Sequence, residues 1–572
     1  MLAPAISKVR EFLSSWKNLL AIGTLPLLGA WIFSRVWMVN PAILGDEYLY
    51  SMNARKVGPW DPPVAGDFSN YLFNFVYQGT NLCGDAFYAC GKIFNIVFFL
   101  GFIFTIFILA LRFLPFWGAY AFMIAAALSP LSVYTSMFLP ESMYFFFIGL
   151  VLVAVLRAMR AFTWQNWALA GAAIGIASLV KPHAWLSAIA VGITMLTVGL
   201  FNKEIGFRRT FLSGIGLVLG AVLARVALGL LVAGPKALSF FGAYLRPSTI
   251  EKVIEGTSEA GQTTGQILTP IDGVVALFAS QLTIHVLVVT ALMALALAGL
   301  IAGIVEVLRE KRLSPASGLA LFGFIWLVSM TLEIVMFTGW VTGSGDDHTT
   351  RVLIRYYDFL FVVIPLAGLS ALAAGFGERL NVFIRWLTAG VFAALITPAF
   401  SGFFGTLAIQ IADAPTLAGL VVNAEVFNAA ALLGFSSLLL FATFPRWSPL
   451  AFAALLPVTM IGTGWQIQDQ YQGFRGSLNA ADVVGQQIAR DFTTEELSKT
   501  WVIGTSRFEA TNVAIWADNE DLNYEFFGPG SRLNASMAPE GTKKIVVAGD
   551  LQITEGASLD YSGEGYAIYS VD

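Results

Sequence analysis

The chain has 572 residues, of which 57% are hydrophobic and only 12% are charged, with a formal net charge of −4. Soluble domains carry about 25% charged residues, so this composition excludes an ordinary soluble protein, and no strongly basic face suggests a nucleic-acid partner. Apolar runs that could cross about 30 Å of hydrocarbon recur from residue 19 to residue 466. Each is predicted to be a helix, because lipid cannot pair the backbone groups of a strand or loop.

The N-terminal segment, residues 1–18, places basic residues ahead of the first apolar run. Lys8, Arg10 and Lys17 lie in a pattern that is typical of an amphipathic helix on the cytoplasmic surface of a membrane. The apolar run that follows is longer than the core of a signal peptide and lacks a small-residue cleavage site. We therefore predict a retained cytoplasmic helix, followed by a transmembrane domain at 19–466.

The fold is predicted to be an all-α polytopic membrane protein with about 11–13 transmembrane helices. The predicted spans are 19–39, 92–111, 116–137, 142–160, 165–180, 183–201, 210–233, 278–304, 316–339, 352–375, 384–410, 426–444 and 448–465. Every second connection carries Arg or Lys, as expected for cytoplasmic loops. The pattern predicts a multi-pass protein of the plasma (inner) membrane, with its N-terminus inside and its C-terminus outside.

Three long segments are then predicted to be extracytoplasmic: loop 40–91, loop 234–277 and the tail 467–572. The tail has the composition of a soluble domain and alternates helical and strand patterns, which indicates a small α/β domain. Its predicted helices and strands are Ala480–Phe492, Trp501–Gly504, Phe508–Trp516, Leu522–Phe527, Lys544–Ala548 and Tyr566–Val571. Cys83 and Cys90, the two cysteines, share the first loop, where either a disulfide or two free thiols is consistent with the sequence.

The first candidate for chemistry is an acidic pair, Asp46 and Glu47, directly after the first span. Such a pair could supply a general base and a hydrogen-bond acceptor for a substrate, or simply begin a helix, whose dipole favours acidic residues there. If the segment is helical, Asp46 and Tyr50 share one face, and Glu47 shares the next with Ser51 and Arg55.

Further charged residues occur at the outer ends of later spans. Glu141 begins the fourth span, where it is either a ligand for a sugar or a partner of the helix dipole. Lys181 and His183 flank Pro182, which interrupts the helix between two spans. The alternative is a lysine at a helix end whose side chain extends to the membrane interface. The proline break and the neighbouring histidine favour an anion site.

The last candidate group precedes the tenth predicted span. Arg351 and Arg355 are four residues apart, predicted to share a helical face, and suited to a phosphate; ion pairs with nearby aspartates are the structural alternative. Asp347 and His348 resemble part of a metal site only weakly, so a divalent cation stays open. Together these segments bring one carboxylate base and several cations to the same membrane face, as transfer from a phosphorylated donor to a hydroxyl requires.

These motifs resemble the GT-C superfamily of polyprenyl-phosphate-sugar-dependent glycosyltransferases, closest in pattern to the protein O-mannosyltransferase and aminoarabinose transferase branch. The resemblance is carried by the D-E-x-x-Y-x-x-x-x-R run from Asp46 to Arg55, by Leu128-Ser129-Pro130 with Pro140-Glu141, by Gly171–Lys181 and by Arg355-Tyr356. It implies a sugar donor linked to a polyprenyl phosphate, an acceptor in a glycan, lipid or protein of the cell envelope, and inversion at the anomeric carbon.

The resemblance also implies roles for individual residues. Asp46 would be the catalytic base, and Glu47 would orient the acceptor or the sugar. The substrate-binding residues would be Tyr50, Arg55, Glu141, Lys181, His183, Arg351, Arg355 and Tyr356.

Three other classes of protein are compatible with many spans. A transporter or flippase of lipid-linked glycans should have inverted repeats and ionisable residues near the midplane, whereas the charges here lie at the outer interface. An O-antigen ligase or polymerase should use a large late loop rather than an acidic pair after the first span. A phosphoethanolamine transferase should have a soluble metal domain with several histidines, and the tail contains no histidine.

Overall fold

The computed structural model describes residues 15–62, 68–202, 205–241, 271–341 and 350–571. The predicted class is confirmed, because the protein is 73% helical, polytopic and ends in a small sheet-containing region. The helices of the membrane part are α1 (Trp16–Val36), α2 (Leu44–Arg55), α3 (Tyr71–Tyr77), α4 (Phe87–Ala110), α5 (Phe116–Ala127), α6 (Glu141–Arg160), α7 (Trp164–Val180), α8 (Ala184–Phe201), α9 (Gly206–Ala233), α10 (Ile271–Glu310), α11 (Pro315–Val341), α12 (Leu360–Ala373), α13 (Phe376–Arg379), α14 (Val382–Phe400), α15 (Pro415–Val421), α16 (Ala424–Thr443), α17 (Ser448–Leu456) and α18 (Thr463–Arg475).

The predicted spans correspond to helices, although fewer of them than expected have the length of a full span. Within the described ranges, nine helical segments are long and apolar enough to cross a membrane, or ten if the bent pair Phe116–Ala127 and Pro130–Ser136 is one span. Shorter apolar helices lie at 184–200 and Leu360–Ala373. The predicted number of 11–13 is therefore larger than the number of described helices that have the length of a full span.

Glycines set the close packing of α7 against α9. A Cβ atom at Gly171 would lie 2.0 Å from the Leu217 carbonyl oxygen, and one at Gly175 would lie 2.1 Å from that of Ala221. Small residues four apart let two helix backbones approach closely, which is how helices gain packing energy in lipid. The Gly171–Gly175 pair therefore positions the C-terminal end of α7, from which Lys181 extends.

The first polar segment is folded rather than a simple loop. It contains α2, α3 and a 3₁₀ helix at Gln78–Ala86, and α4 begins at Phe87 instead of residue 92. Cys83 and Cys90 form a disulfide across the junction of the 3₁₀ helix and α4. Of the predicted N-terminal helix, residues 1–14 lie outside the described residues, and Trp16–Asn18 belong to α1. The centre of loop 234–277 lies outside them as well.

The C-terminal domain follows α18, which includes the predicted boundary at residue 467 and ends at Arg475. Its helices are α19 (Ala480–Asp491), α20 (Thr494–Ser498) and α21 (Arg507–Ala517). Its strands are β1 (Thr500–Gly504), β2 (Asn523–Phe526), β3 (Arg532–Asn534), β4 (Lys544–Ala548), β5 (Gln552–Glu555), β6 (Ala557–Gly563) and β7 (Tyr566–Val571). The predicted elements are all present, whereas α20, β3, β5 and β6 were not predicted.

Five of the strands form a sheet with the order β2-β1-β4-β7-β6. β1 pairs in parallel with β2 and with β4, while β7 is antiparallel to β4 and β6. The central strands β1 and β4 are apolar and buried, as strands covered on both faces must be. Helices α19 and α21 cover one face, where their core also takes in Tyr48 and Met52 of α2.

Candidate active site

A cleft with about 420 Å³ of open space lies where four distant segments meet. Its lining residues come from α2, from the segment before α3, from the break between α7 and α8, and from the turn before α12. They are Asp46, Tyr50, Phe68, Asn70, Lys181, Pro182, His183, Arg355 and Tyr356. The structure thus brings together most of the residues that the sequence predicted for the site.

Helix α2 presents Asp46 to this cleft. The helix runs from Leu44 to Arg55, with Asp46 and Glu47 in its first turn, so Asp46 and Tyr50 lie on one face as predicted. The Asp46 side chain is 49% exposed. Among the cleft-lining residues it is the one carboxylate, and it is accessible to a substrate.

Two buried cations lie beside Asp46 and share a buried carboxylate. Arg355 donates from Nη1 to Asp46 Oδ2 at 2.8 Å and from Nε to Glu141 Oε1 at 2.5 Å. Lys181 Nζ donates to the same Glu141 oxygen at 2.8 Å. The Glu141 side chain is fully buried, so its charge is available to these two cations and not to water. The network is neutral in total and directs its positive groups toward the cleft.

Local backbone geometry holds these side chains in place. Lys181 ends α7 in an extended conformation, and Pro182 prevents the helix from continuing. The Asn70 amide donates to the Val180 carbonyl at 2.5 Å, which ties the segment before α3 to the end of α7. The Arg355 backbone N–H donates to the Asp413 carbonyl at 2.7 Å. Each cation is therefore held by a separate tertiary contact.

His183 lies flat against Tyr356, with ring centroids 4.5 Å apart, and Lys181 Nζ lies 4.9 Å from the Tyr356 ring. Burial, reinforced by the neighbouring Lys181 cation, lowers the pKa of the His183 ring well below its usual range. This environment favours the neutral form of the imidazole. A neutral imidazole can donate a hydrogen bond to an anion, so the role predicted for His183 in an anion site stays a prediction.

Glu47 does not reach the cleft, unlike the prediction that it orients a substrate. Its two oxygens accept four hydrogen bonds, from the Ala42 and Ile43 N–H groups and from Tyr88 Oη and the Phe138 N–H, at 2.7–2.8 Å. The side chain is buried and its acceptor capacity is filled. Glu47 therefore anchors the start of α2 to α4 and to the segment before α6.

Glu47→Gln is expected to destabilise the fold. The amide nitrogen would face two donors, and each buried donor left unpaired costs about 1–3 kcal/mol. We expect a lower midpoint of thermal unfolding in detergent, measured by intrinsic fluorescence. The matched control is Glu425→Gln, an exposed glutamate in the first turn of α16, for which the midpoint should barely change. Equal midpoints for the two variants would contradict the anchoring role.

Arg55 and Arg351, two of the predicted phosphate ligands, form ion pairs outside the cleft. Arg55 donates to Asp518 of the C-terminal domain at 2.5 Å, and its guanidinium lies 3.6 Å from the centroid of the Phe87 ring. Arg351 pairs with Asp413 at 2.6 Å. The prediction that Arg351 and Arg355 share a helical face was wrong, because Arg351 bridges to Ala408 in an extended segment and Arg355 lies in a 3₁₀ turn, Ile354–Tyr356.

Asp347 and His348, the weak metal candidates, lie outside the described residues. Within the described ranges, no group of three or more His, Cys, Asp or Glu side chains is arranged to hold a metal ion.

The cleft also contains Phe68 and Asn70, which the sequence did not single out. A lone asparagine and a phenylalanine in a polar loop have no periodic or charge pattern that could have identified them.

Comparison with known proteins found likenesses of structure only. No family model and no curated protein matches the sequence. ArnT from Cupriavidus metallidurans bound to undecaprenyl phosphate aligns over 96% of this chain and 97% of its own, with 15% identity and a TM-score of 0.48. The oligosaccharyltransferase AglB from Archaeoglobus fulgidus, in complex with an inhibitory peptide and a dolichol phosphate, aligns over 93% of this chain and 70% of its own, with 12% identity and a TM-score of 0.41.

At these identities and TM-scores the likeness does not assign a reaction to this chain. Its function has to be inferred from the groups in the cleft.

Proposed function

We propose that the protein is a membrane glycosyltransferase that moves a sugar from a polyprenyl-phosphate donor to a hydroxyl group of an extracytoplasmic acceptor, with inversion. The observation that carries this proposal is the cleft in which the half-exposed carboxylate of Asp46 lies beside the buried cations Lys181 and Arg355. A phosphate fits two fixed cations, and a carboxylate is a suitable base for a hydroxyl group. The acceptor is a glycan, lipid or protein of the cell envelope.

In the proposed reaction Asp46 takes the proton of the acceptor hydroxyl as its oxygen attacks the anomeric carbon. The bond between that carbon and the phosphate oxygen breaks, and its electrons leave with the polyprenyl phosphate. Lys181 and Arg355 stabilise the charge that develops on the departing phosphate. With Asp46 acting as the base, the acceptor oxygen displaces the phosphate in a single step, and one displacement inverts the anomeric centre.

Arg355 couples binding of the donor to release of the Asp46 carboxylate from its ion pair. Its Nη1 is bonded to Asp46 while its Nε is bonded to Glu141. A donor phosphate that takes the Nη1 side of the guanidinium releases Asp46 to accept a proton, while Glu141 continues to hold Arg355. His183, Tyr50 and Tyr356 also line the cleft, where a sugar or phosphate would contact them.

This reaction requires the cleft to face the compartment that contains the acceptor. The alternation of basic loops favours an orientation in the plasma (inner) membrane with the N-terminus in the cytoplasm. The cleft and the C-terminal domain then both lie on the extracytoplasmic side.

The test uses the purified full chain in vesicles with undecaprenyl-phosphate sugars that are radiolabelled in the sugar, and a cell-envelope fraction as acceptor. We expect label to move to the acceptor as undecaprenyl phosphate is released. Consumption of diphosphate-linked glycans alone would instead indicate a ligase or polymerase. Movement of the intact labelled lipid across the bilayer without cleavage would indicate a transporter or flippase.

A further inference from the structure

The helix that bears Asp46 is shared between the membrane part and the C-terminal domain. One face of α2 presents Asp46 and Tyr50 to the cleft. The side chains of Tyr48 and Met52 are buried in the apolar core formed by α19, α21 and the sheet. The Tyr48 ring meets the Tyr524 ring edge-on, with centroids 5.4 Å apart. The position of α2 therefore depends on both parts of the chain.

The C-terminal end of α2 is attached to the domain by charge. Asp518 accepts from Arg55 Nη1 at 2.5 Å and from Lys56 Nζ at 3.0 Å. The Arg55 side chain is buried, so this pair is shielded from water on one side. Asp518 itself ends α21 in a left-handed conformation, with φ of 51°, and its position is therefore set by the end of that helix.

The segment that leads into α2 is attached at a second point, Arg475 at the end of α18. Arg475 Nε donates to the Pro41 carbonyl at 2.6 Å, and the Asn40 N–H donates to the Arg475 carbonyl at 2.8 Å. The Arg475 guanidinium also binds Asp482 of α19 at 2.8 Å, and Asp482 accepts from Trp516 Nε1 at 2.7 Å. Both ends of α2 are thus connected to the C-terminal domain.

We propose that the C-terminal domain positions the catalytic base by holding α2 at both ends, with Asp518 and Arg475 as positioning residues. This inference rests on the proposed function for its catalytic consequence. Loss of either attachment would let α2 shift relative to Lys181 and Arg355, which lie on other segments. A displacement of about 1 Å at a reacting group can cost roughly 100-fold in rate.

The test compares Asp518→Asn with the unaltered full chain in two measurements. In the transfer assay we expect kcat to fall roughly 10- to 100-fold with little change in the KM for the acceptor. In the second measurement Ser51→Cys, which places a thiol on a buried position of α2, is labelled with a maleimide. Both native cysteines are in the disulfide, so the new thiol reports on α2 alone, and we expect its labelling to be faster in the Asp518→Asn background.

Two further variants serve as controls. Asp518→Glu keeps the charge and should restore slow labelling and most of kcat. Asp560→Asn removes the ion pair between Asp560 on β6 and Lys544 at the start of β4 in the same domain and should change neither measurement.

A raised acceptor KM at unchanged kcat would overturn the proposal and make the domain an acceptor-binding module. Unchanged labelling in Asp518→Asn would overturn it too, because α2 would then not depend on the attachment. The labelling measurement does not use sugar transfer. If the unaltered protein transfers no sugar but Asp518→Asn speeds labelling, the attachment stands and the proposed function fails.

Discussion

Replacing Asp46 with asparagine is expected to lower sugar transfer by about 1,000-fold, within the 10²- to 10⁴-fold contribution of a general base. Asparagine keeps the size of the side chain and the start of α2, but its amide cannot accept the proton of an acceptor hydroxyl. The measurement is the initial rate of label transfer from an undecaprenyl-phosphate sugar by the purified protein. Size-exclusion chromatography and thermal unfolding should show that the variant folds normally.

Asp469→Asn is the matched control for this substitution. Asp469 is also an aspartate paired with an arginine, Arg35, and its side chain is 47% exposed, close to the value for Asp46. It lies outside the cleft, so its neutralisation should leave the transfer rate nearly unchanged. A transfer rate for Asp46→Asn close to that of Asp469→Asn would eliminate Asp46 as the base.

Binding of undecaprenyl phosphate, the product lipid of the proposed reaction, tests in the Asp46→Asn variant whether Asp46 acts as a base or belongs to the anion site. Asp46→Asn removes a competitor for Arg355, so undecaprenyl phosphate should bind at least as tightly as it does to the unaltered protein. Weaker binding together with lost transfer would show that Asp46 contributes to the anion site instead of accepting a proton.

Neutralising Glu141 is expected to have the largest effect on stability. Glu141→Gln leaves Lys181 and Arg355 buried without their shared counter-charge, and removal of one partner from a buried ion pair typically costs about 3–5 kcal/mol. We expect a marked decrease in the temperature at which the purified protein loses its monodisperse state. Transfer should also decrease at temperatures at which the variant is still folded, because the two cations lose their fixed positions.

Glu306→Gln is the control for Glu141→Gln. Glu306 is also a carboxylate between two cations, Arg309 and Arg379, but the two guanidinium groups are 51% and 50% exposed. Exposed pairs typically contribute 0–1 kcal/mol, because water replaces the lost partner. A stability loss for Glu141→Gln no larger than that for Glu306→Gln would mean that the buried network does not support the fold.

Residues that act through local geometry could be predicted from the sequence. The spacing of Asp46 and Tyr50 placed them on one face of a helix, and Pro182 predicted the break that leaves Lys181 at the end of α7. The predictions failed where a charged side chain pairs with a residue far away in the chain. Arg55 has the residue type of a phosphate ligand, yet its partner, Asp518, is 463 residues away and no local pattern indicates it.

Glu47 shows the same limit for an acidic residue. The hydrogen bonds from the Ala42 and Ile43 N–H groups could have been anticipated, since a carboxylate in the first turn of a helix often reaches back to the N–H at its N-cap. The other two donors come from Tyr88 and Phe138, whose proximity depends on how α4 and the segment before α6 pack. Local pattern alone therefore could not separate the half-exposed carboxylate from the one whose acceptor capacity is filled.

The membrane location, the helical class and the order of the spans were determined by the amino-acid sequence alone. The reason is that hydrocarbon requires every backbone group of a crossing segment to be paired within that segment, whatever its neighbours are. Which cation meets which carboxylate was decided only by the tertiary structure. Asp46 and Arg355 are 309 residues apart, and the energy of a charge pair depends on distance and burial, which arise only when the helices pack.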